Sequence, residues 1–129
     1  MLIEITDPIY HRRVWVAFEK DYDEVCKLIP DEFPVKKVMK DLSGTPPIGA
    51  RVVSYKKSMM FFIWFPFNEV TNAIHYSLIA HEIFHVVWFT MREVGMPLSD
   101  DSNEAYAYYT QFLMQSIIQF INEQTPPLP

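Results

Sequence analysis

Thr71-Asn-Ala-Ile-His-Tyr-Ser-Leu-Ile-Ala-His81-Glu82-Ile-Phe-His85-Val-Val-Trp-Phe-Thr-Met-Arg-Glu-Val94 is the stretch on which the reading of this chain turns. Neither proline nor glycine interrupts it, and Gly95 followed by Pro97 supplies a C-terminal stop. The pattern predicts one long helix from about Asn68 or Thr71 to Val94. Ile74, Leu78, Ile79, Ile83, Phe84, Val86, Val87, Trp88 and Phe89 make that helix apolar nearly all round, as in a buried element.

Inside it stands His81-Glu82-Ile83-Phe84-His85, an H-E-x-x-H pattern. At 3.6 residues per turn the two histidines share a face one turn apart, so two imidazoles converge on one ion at about 2.0 to 2.1 Å. Glu82 points roughly 100° around from His81, beside the ion and not on it. A carboxylate there takes a proton from a water whose pKa an ion lowers toward about 7. With four His and nine Glu in 129 residues, chance gives roughly 0.01 such matches. Without an ion, this apolar helix would strand three polar side chains, at about 1–3 kcal/mol for each unmet group.

Working outward, Ser99, Asp100, Asp101 and Ser102 offer N-caps for a second helix that runs to about Glu123. Thr125-Pro-Pro-Leu-Pro129 reads as a frayed end. Upstream, Leu2–Ile5 and Arg13–Phe18 have strand composition, and Asp21–Leu28 has a helical period stopped by Pro30. Residues 41–49 read as loop. Ala50–Tyr55 and Met59–Phe65 read as a hairpin turning at Lys56-Lys57-Ser58. The expected architecture is one α+β domain over residues 1–129, a small antiparallel or mixed sheet packed on two long C-terminal helices.

Composition narrows the function. Half the 129 residues are apolar, 16% are aromatic and the net charge is −5, which excludes a disordered chain. Eleven scattered Lys and Arg argue against nucleic acid as a partner. The single Cys26 suits a reducing interior, as a small hydrophobe on its helix. The first 18 residues carry Glu4, Asp7, Arg12 and Arg13, unlike a secretory segment. The longest apolar run, Met59–Phe67, is too short to span a membrane. A cytoplasmic protein without a membrane partner is expected.

With its helical context, the motif resembles the zincin metallopeptidases, and among them the gluzincin type, in which a Glu from a following helix is the third ligand. Glu104, in Ser102-Asn-Glu104-Ala-Tyr-Ala-Tyr108-Tyr, lies 19 residues past His85 and matches that position. The resemblance covers about residues 71–115, and small zinc peptidases encoded by phages and mobile elements look like this. It implies a minimal zincin-like domain with zinc on His81, His85 and Glu104, Glu82 as general base, and a peptide or protein as substrate.

The residues themselves leave alternatives. Glu104 shares a polar stripe with Gln111, Gln115 and Asn122, opposite Tyr106, Tyr109, Leu113, Ile117 and Phe120. Asp101 or Asp100 would face the ion instead if the helix began slightly elsewhere, and a losing acid would fix a histidine tautomer. Tyr108, one turn past Glu104, is either a phenol donor to the developing oxyanion or a packing residue. His75 is either a transition-state donor or a polar cap. Arg92 continues the face of His85 and would pair with Asp100, Asp101 or a substrate carboxylate. Iron, manganese or cobalt accept similar ligands.

A zinc peptidase is therefore expected, its substrate extended along a sheet edge taken to be the Met59–Phe65 strand. Two other readings compete: a zinc amidase acting on a non-peptide amide, and a catalytically silent, metal-stapled binding or assembly protein. The density of Phe61, Phe62, Trp64, Phe65, Phe67 and Trp88 favours the last, with a partner surface or a homo-oligomer.

Overall fold

Arg13-Val-Trp-Val-Ala-Phe18 and Met60-Phe-Phe-Ile-Trp-Phe65 carry almost no polar alternation, and side chains on both faces of both strands are buried. Strands of that composition belong in the middle of a sheet covered on two sides. The computed structural model, which describes residues 1–45 and 49–124, has this arrangement. Its elements are β1 (Leu2–Thr6), β2 (Arg13–Phe18), α1 (Tyr22–Cys26), α2 (Val35–Ser43), β3 (Arg51–Tyr55), β4 (Met60–Phe65), α3 (Ala73–Glu93) and α4 (Asn103–Gln124). The sheet order is β1-β2-β4-β3. β2 and β4 pair in parallel, Val14 opposite Phe61, while β1 with β2 and β3 with β4 are antiparallel.

Two cores follow from the pleat. Ile3, Ile5, Val14, Val16, Phe61 and Ile63 point toward α3 and α4. Trp15, Ala17, Phe62 and Trp64 point the other way, onto the layer of α1 and α2. Each fully buried large side chain contributes about 1.5–3 kcal/mol. The α+β domain with a mixed sheet and two long C-terminal helices is as the sequence predicts.

Three details differ. The Met59–Phe65 strand is no edge, since β4 is paired on both sides; the free edges belong to β1 and β3. Most of the aromatic cluster is accounted for, because a sheet buried on two faces hides Phe61, Phe62, Trp64 and Phe65, and of the six aromatics in that cluster Trp88 alone is well exposed. Residues 41–43, expected as loop, end α2, a helix held by Val38 and Leu42 one turn apart. Pro46–Ile48 of that stretch and the frayed end from Thr125 lie outside the described residues.

Both long helices have identifiable ends. Asn72 accepts the His75 N–H at 3.0 Å to start α3, and Gly95, at φ +76°, reverses the chain after it. Tyr106 Oη donates to Met96 O at 2.7 Å, tying α4 to that turn. α3 packs on β3, β4 and α4. Its flank therefore runs beside the open edge of the sheet.

Candidate metal centre

The buried residues of α3 are Ile79, Glu82, Ile83, Val86, Val87, Thr90 and Met91. Five are ordinary core residues and Thr90 is a fully buried hydroxyl; Glu82 is the outlier, a carboxyl only 6% exposed. His81 is exposed and His85 half-buried on the adjoining flank. His81 Nε2 and His85 Nε2 stand 3.2 Å apart, their rings inclined at 73°. One ligand atom from each of His81, Glu82 and His85 lies within 4.8 Å of the others, and among the described residues no further His, Cys, Asp or Glu joins such a cluster.

The spacing tests whether these residues fit an ion. Two nitrogens at 2.0–2.1 Å from a tetrahedral centre are about 3.3 Å apart. The observed 3.2 Å meets that spacing. Burial raises the Glu82 pKa, while His85, His81 and Arg51 act against the rise. A carboxyl balanced between those influences accepts a proton more readily than a solvated one.

A cavity of about 340 Å³ opens over the cluster, lined by Ala50, Arg51 and Val52 of the β3 edge and by His81, Glu82, His85 and Phe89 of α3. Arg51 is held from behind, its Nε donating to Asp41 O at the end of α2 at 3.1 Å. A larger hollow, about 720 Å³, runs along α4 between Gln111 and Glu123. It contains no histidine or cysteine, and donor chemistry rather than volume identifies the candidate site.

The acids of the second helix stand elsewhere. Glu104 occupies the first turn of α4 and is exposed, as are Asp100 and Asp101. His85 precedes the end of α3 by eight residues, about 12 Å of helix axis, whereas Glu104 is the second residue of α4. Tyr106 and Tyr109 turn inward, which leaves Glu104, about 200° around from Tyr106, facing outward. Tyr108 is 65% exposed, so the helix-packing tyrosines are its neighbours. His75 behaves as a cap: its Nδ1 accepts the Thr71 N–H at 3.1 Å, and its ring stacks on Phe67 at 3.9 Å. Arg92 lies 5.5 Å over the ring of Phe89; among the described residues it makes no salt bridge to Asp100 or Asp101.

Sequence reasoning missed Arg51, Val52 and Phe89 as lining residues. Arg51, a cation at the start of a β-branched strand, was the available signal; the approach of β3 to α3 is tertiary and left none. The chain matches no protein-family model, no curated protein and no solved structure. Among the described residues no helix is long and apolar enough to cross a membrane.

Proposed function

We propose that the chain is a zinc-dependent metallopeptidase of minimal zincin-like form, with His81 and His85 as ligands, Glu104 as the third and Glu82 as general base. The observation that carries the reading is the 3.2 Å approach of two imidazole nitrogens beside a buried carboxyl in a cavity bordered by a free sheet edge. A bound divalent ion supplies a lowered water pKa and a polarised carbonyl. Glu82 takes the proton of the attacking water and returns it to the leaving amine. The β3 edge receives the substrate as an added strand, which aligns the scissile amide with α3. Recruitment of Glu104 requires the start of α4 to turn toward His85, against the burial of Tyr106 and Tyr109 and the 2.7 Å bond from Tyr106 Oη to Met96 O that set its present rotation.

Metal content per chain, measured by plasma mass spectrometry on untagged protein, tests this. Wild type is expected to hold near one zinc per chain, His81→Ala and Glu104→Ala to lose it, and Asp101→Ala to keep it. Wild type that stays metal-free when offered zinc overturns the reading.

One observation favours the binding or assembly alternative. Phe84 and Trp88, 48% and 40% exposed, lie 6.3 Å apart on the outer face of α3, an apolar pair of the kind partner surfaces use. A closed four-ligand site in the zinc-loaded protein would support it.

A further inference from the structure

The face of α3 that carries the imidazoles continues past them into an aromatic ring and a cation. Phe89, one turn beyond His85, lies nearly parallel to its ring at 6.4 Å and walls the cavity together with Val52 and Ala50. At 100° per residue Arg92 stands about 20° around from His81 and His85 about 40°, so its backbone position is in line with the ligand pair, roughly 10 Å along the axis from His85. It rests on Phe89 at 5.5 Å and has no carboxylate partner among the described residues. The negative end of the helix dipole accounts for a cation in the last turn of α3. It does not account for a guanidinium laid on Phe89, a ring that lines the cavity.

We propose that this row selects the substrate: the site takes peptides with a large apolar side chain beside the scissile amide, seated between Phe89 and Val52, and a free C-terminal carboxylate bound by Arg92. The proposal rests on the peptidase reading. A guanidinium lying over Phe89 is between about 6 and 10 Å along the axis from His85, and an extended peptide advances about 3.3 Å per residue, so the bound carboxylate is two or three residues from the ligand pair. The activity is then removal of short C-terminal pieces instead of cleavage within a long chain. A guanidinium suits the role, because its planar fork matches a carboxylate and stacking on Phe89 restricts it beforehand. The chain carries 16 acids against 11 bases, which makes an unpaired cation in line with the cluster a selective feature in an otherwise repelling field.

The test uses zinc-loaded Glu82→Gln protein and a dye-labelled pentapeptide containing one phenylalanine, prepared as free acid and as amide, with binding read by fluorescence anisotropy and metal content checked for each variant. The acid is expected to bind about fivefold more tightly than the amide, the scale of an exposed ion pair. Adding Arg92→Ala should abolish that preference, Arg92→Lys should restore part of it, and Phe89→Ala should weaken both forms, the acid more than the amide. Equal binding of acid and amide, a preference that survives Arg92→Ala, or no binding of either form overturns the proposal. Turnover by wild type separates the two claims. Acid-selective binding without cleavage removes the peptidase and keeps the recognition; cleavage that ignores the C-terminus does the reverse.

Discussion

α3 passes through two polar clusters of opposite character. At its middle, His81, Glu82 and His85 open onto a cavity. Two turns on, Thr90 enters a sealed group with Asp7 and Arg12 of the β1–β2 turn and Tyr109 of α4, all buried. Asp7 accepts the N–H of Ile9 at 2.7 Å and of Tyr10 at 3.2 Å, and Arg12 donates to Tyr10 O at 2.7 Å. Tyr10 packs edge-on against Tyr109 with ring centroids 4.9 Å apart. Both clusters place ionisable groups among apolar side chains. A cavity opens over the first, whereas the members of the second are 6% exposed or less; the difference separates groups that a second molecule can reach from groups that hold three elements together.

Glu82→Gln breaks the comparison most directly. In zinc-loaded protein we expect peptide hydrolysis to fall by about a hundred- to ten-thousand-fold, the range for a lost general base, with metal content retained. The melting temperature of the metal-free protein should not drop, since a buried ionised carboxylate disfavours the fold. Activity equal to wild type would remove Glu82 from the chemistry. Asp7→Ala is expected to do the opposite: it leaves zinc content intact and costs about 2–3 kcal/mol, because two backbone N–H groups lose a charged acceptor. Thermal melting should register a fall of about 10 °C.

The contrast also marks what could be read in advance. α3, α4 and the His81–Glu82–His85 pattern were legible because uninterrupted periodicity and the breakers Gly95 and Pro97 are local properties. β2 and β4 were legible as strands, and their unbroken apolar runs match burial on both faces, but their parallel partnership was not, since a crossover through α1, α2 and β3 separates them. α2 went unread although Val35, Val38, Met39 and Leu42 fall at i, i+3, i+4 and i+7; the Ser-Gly-Thr-Pro-Pro composition that follows drew residues 41–43 into the loop. Glu104 was identified by its distance from His85, yet where it points depends on how α4 rotates about its axis, and Tyr106 and Tyr109 decide that by turning inward. The sealed cluster gave no signal, as its members are about 80 residues or more apart except for Asp7 and Arg12, and Thr90 and Tyr109.

A pH titration sharpens the comparison further. Burial, with the charge of Asp7 adding to it, pushes the Tyr109 phenol well above its ordinary pKa of 10.0. The folded form therefore holds its proton more tightly than the unfolded chain, so this stability is fully present below pH 10 and is lost as pH rises above it. Phenolate absorbance should show one tyrosine that ionises only as the fold is lost, and Tyr109→Phe should remove that step. If all seven tyrosines titrate reversibly in the native protein, the cluster is open to solvent.

The smallest expected effect bears on whether the sealed cluster is dry. Thr90 Oγ1, Tyr109 Oη and Arg12 Nε are buried without a hydrogen bond; Tyr109 lies near enough to Asp7 and Thr90 to feel both, though outside bonding geometry. An unpaired buried hydroxyl costs the fold more than its removal does. Thr90→Val keeps shape and branching while deleting that oxygen, and in a helix it also loses no capping role. We expect it to stabilise by up to about 1 kcal/mol, a rise of a few degrees in melting temperature, with zinc content unchanged. A fall instead would mean that the hydroxyl has a partner, a buried water bridging Thr90 to Tyr109. The second polar site on α3 would then be wet as well, and enclosure alone would no longer distinguish it from the first.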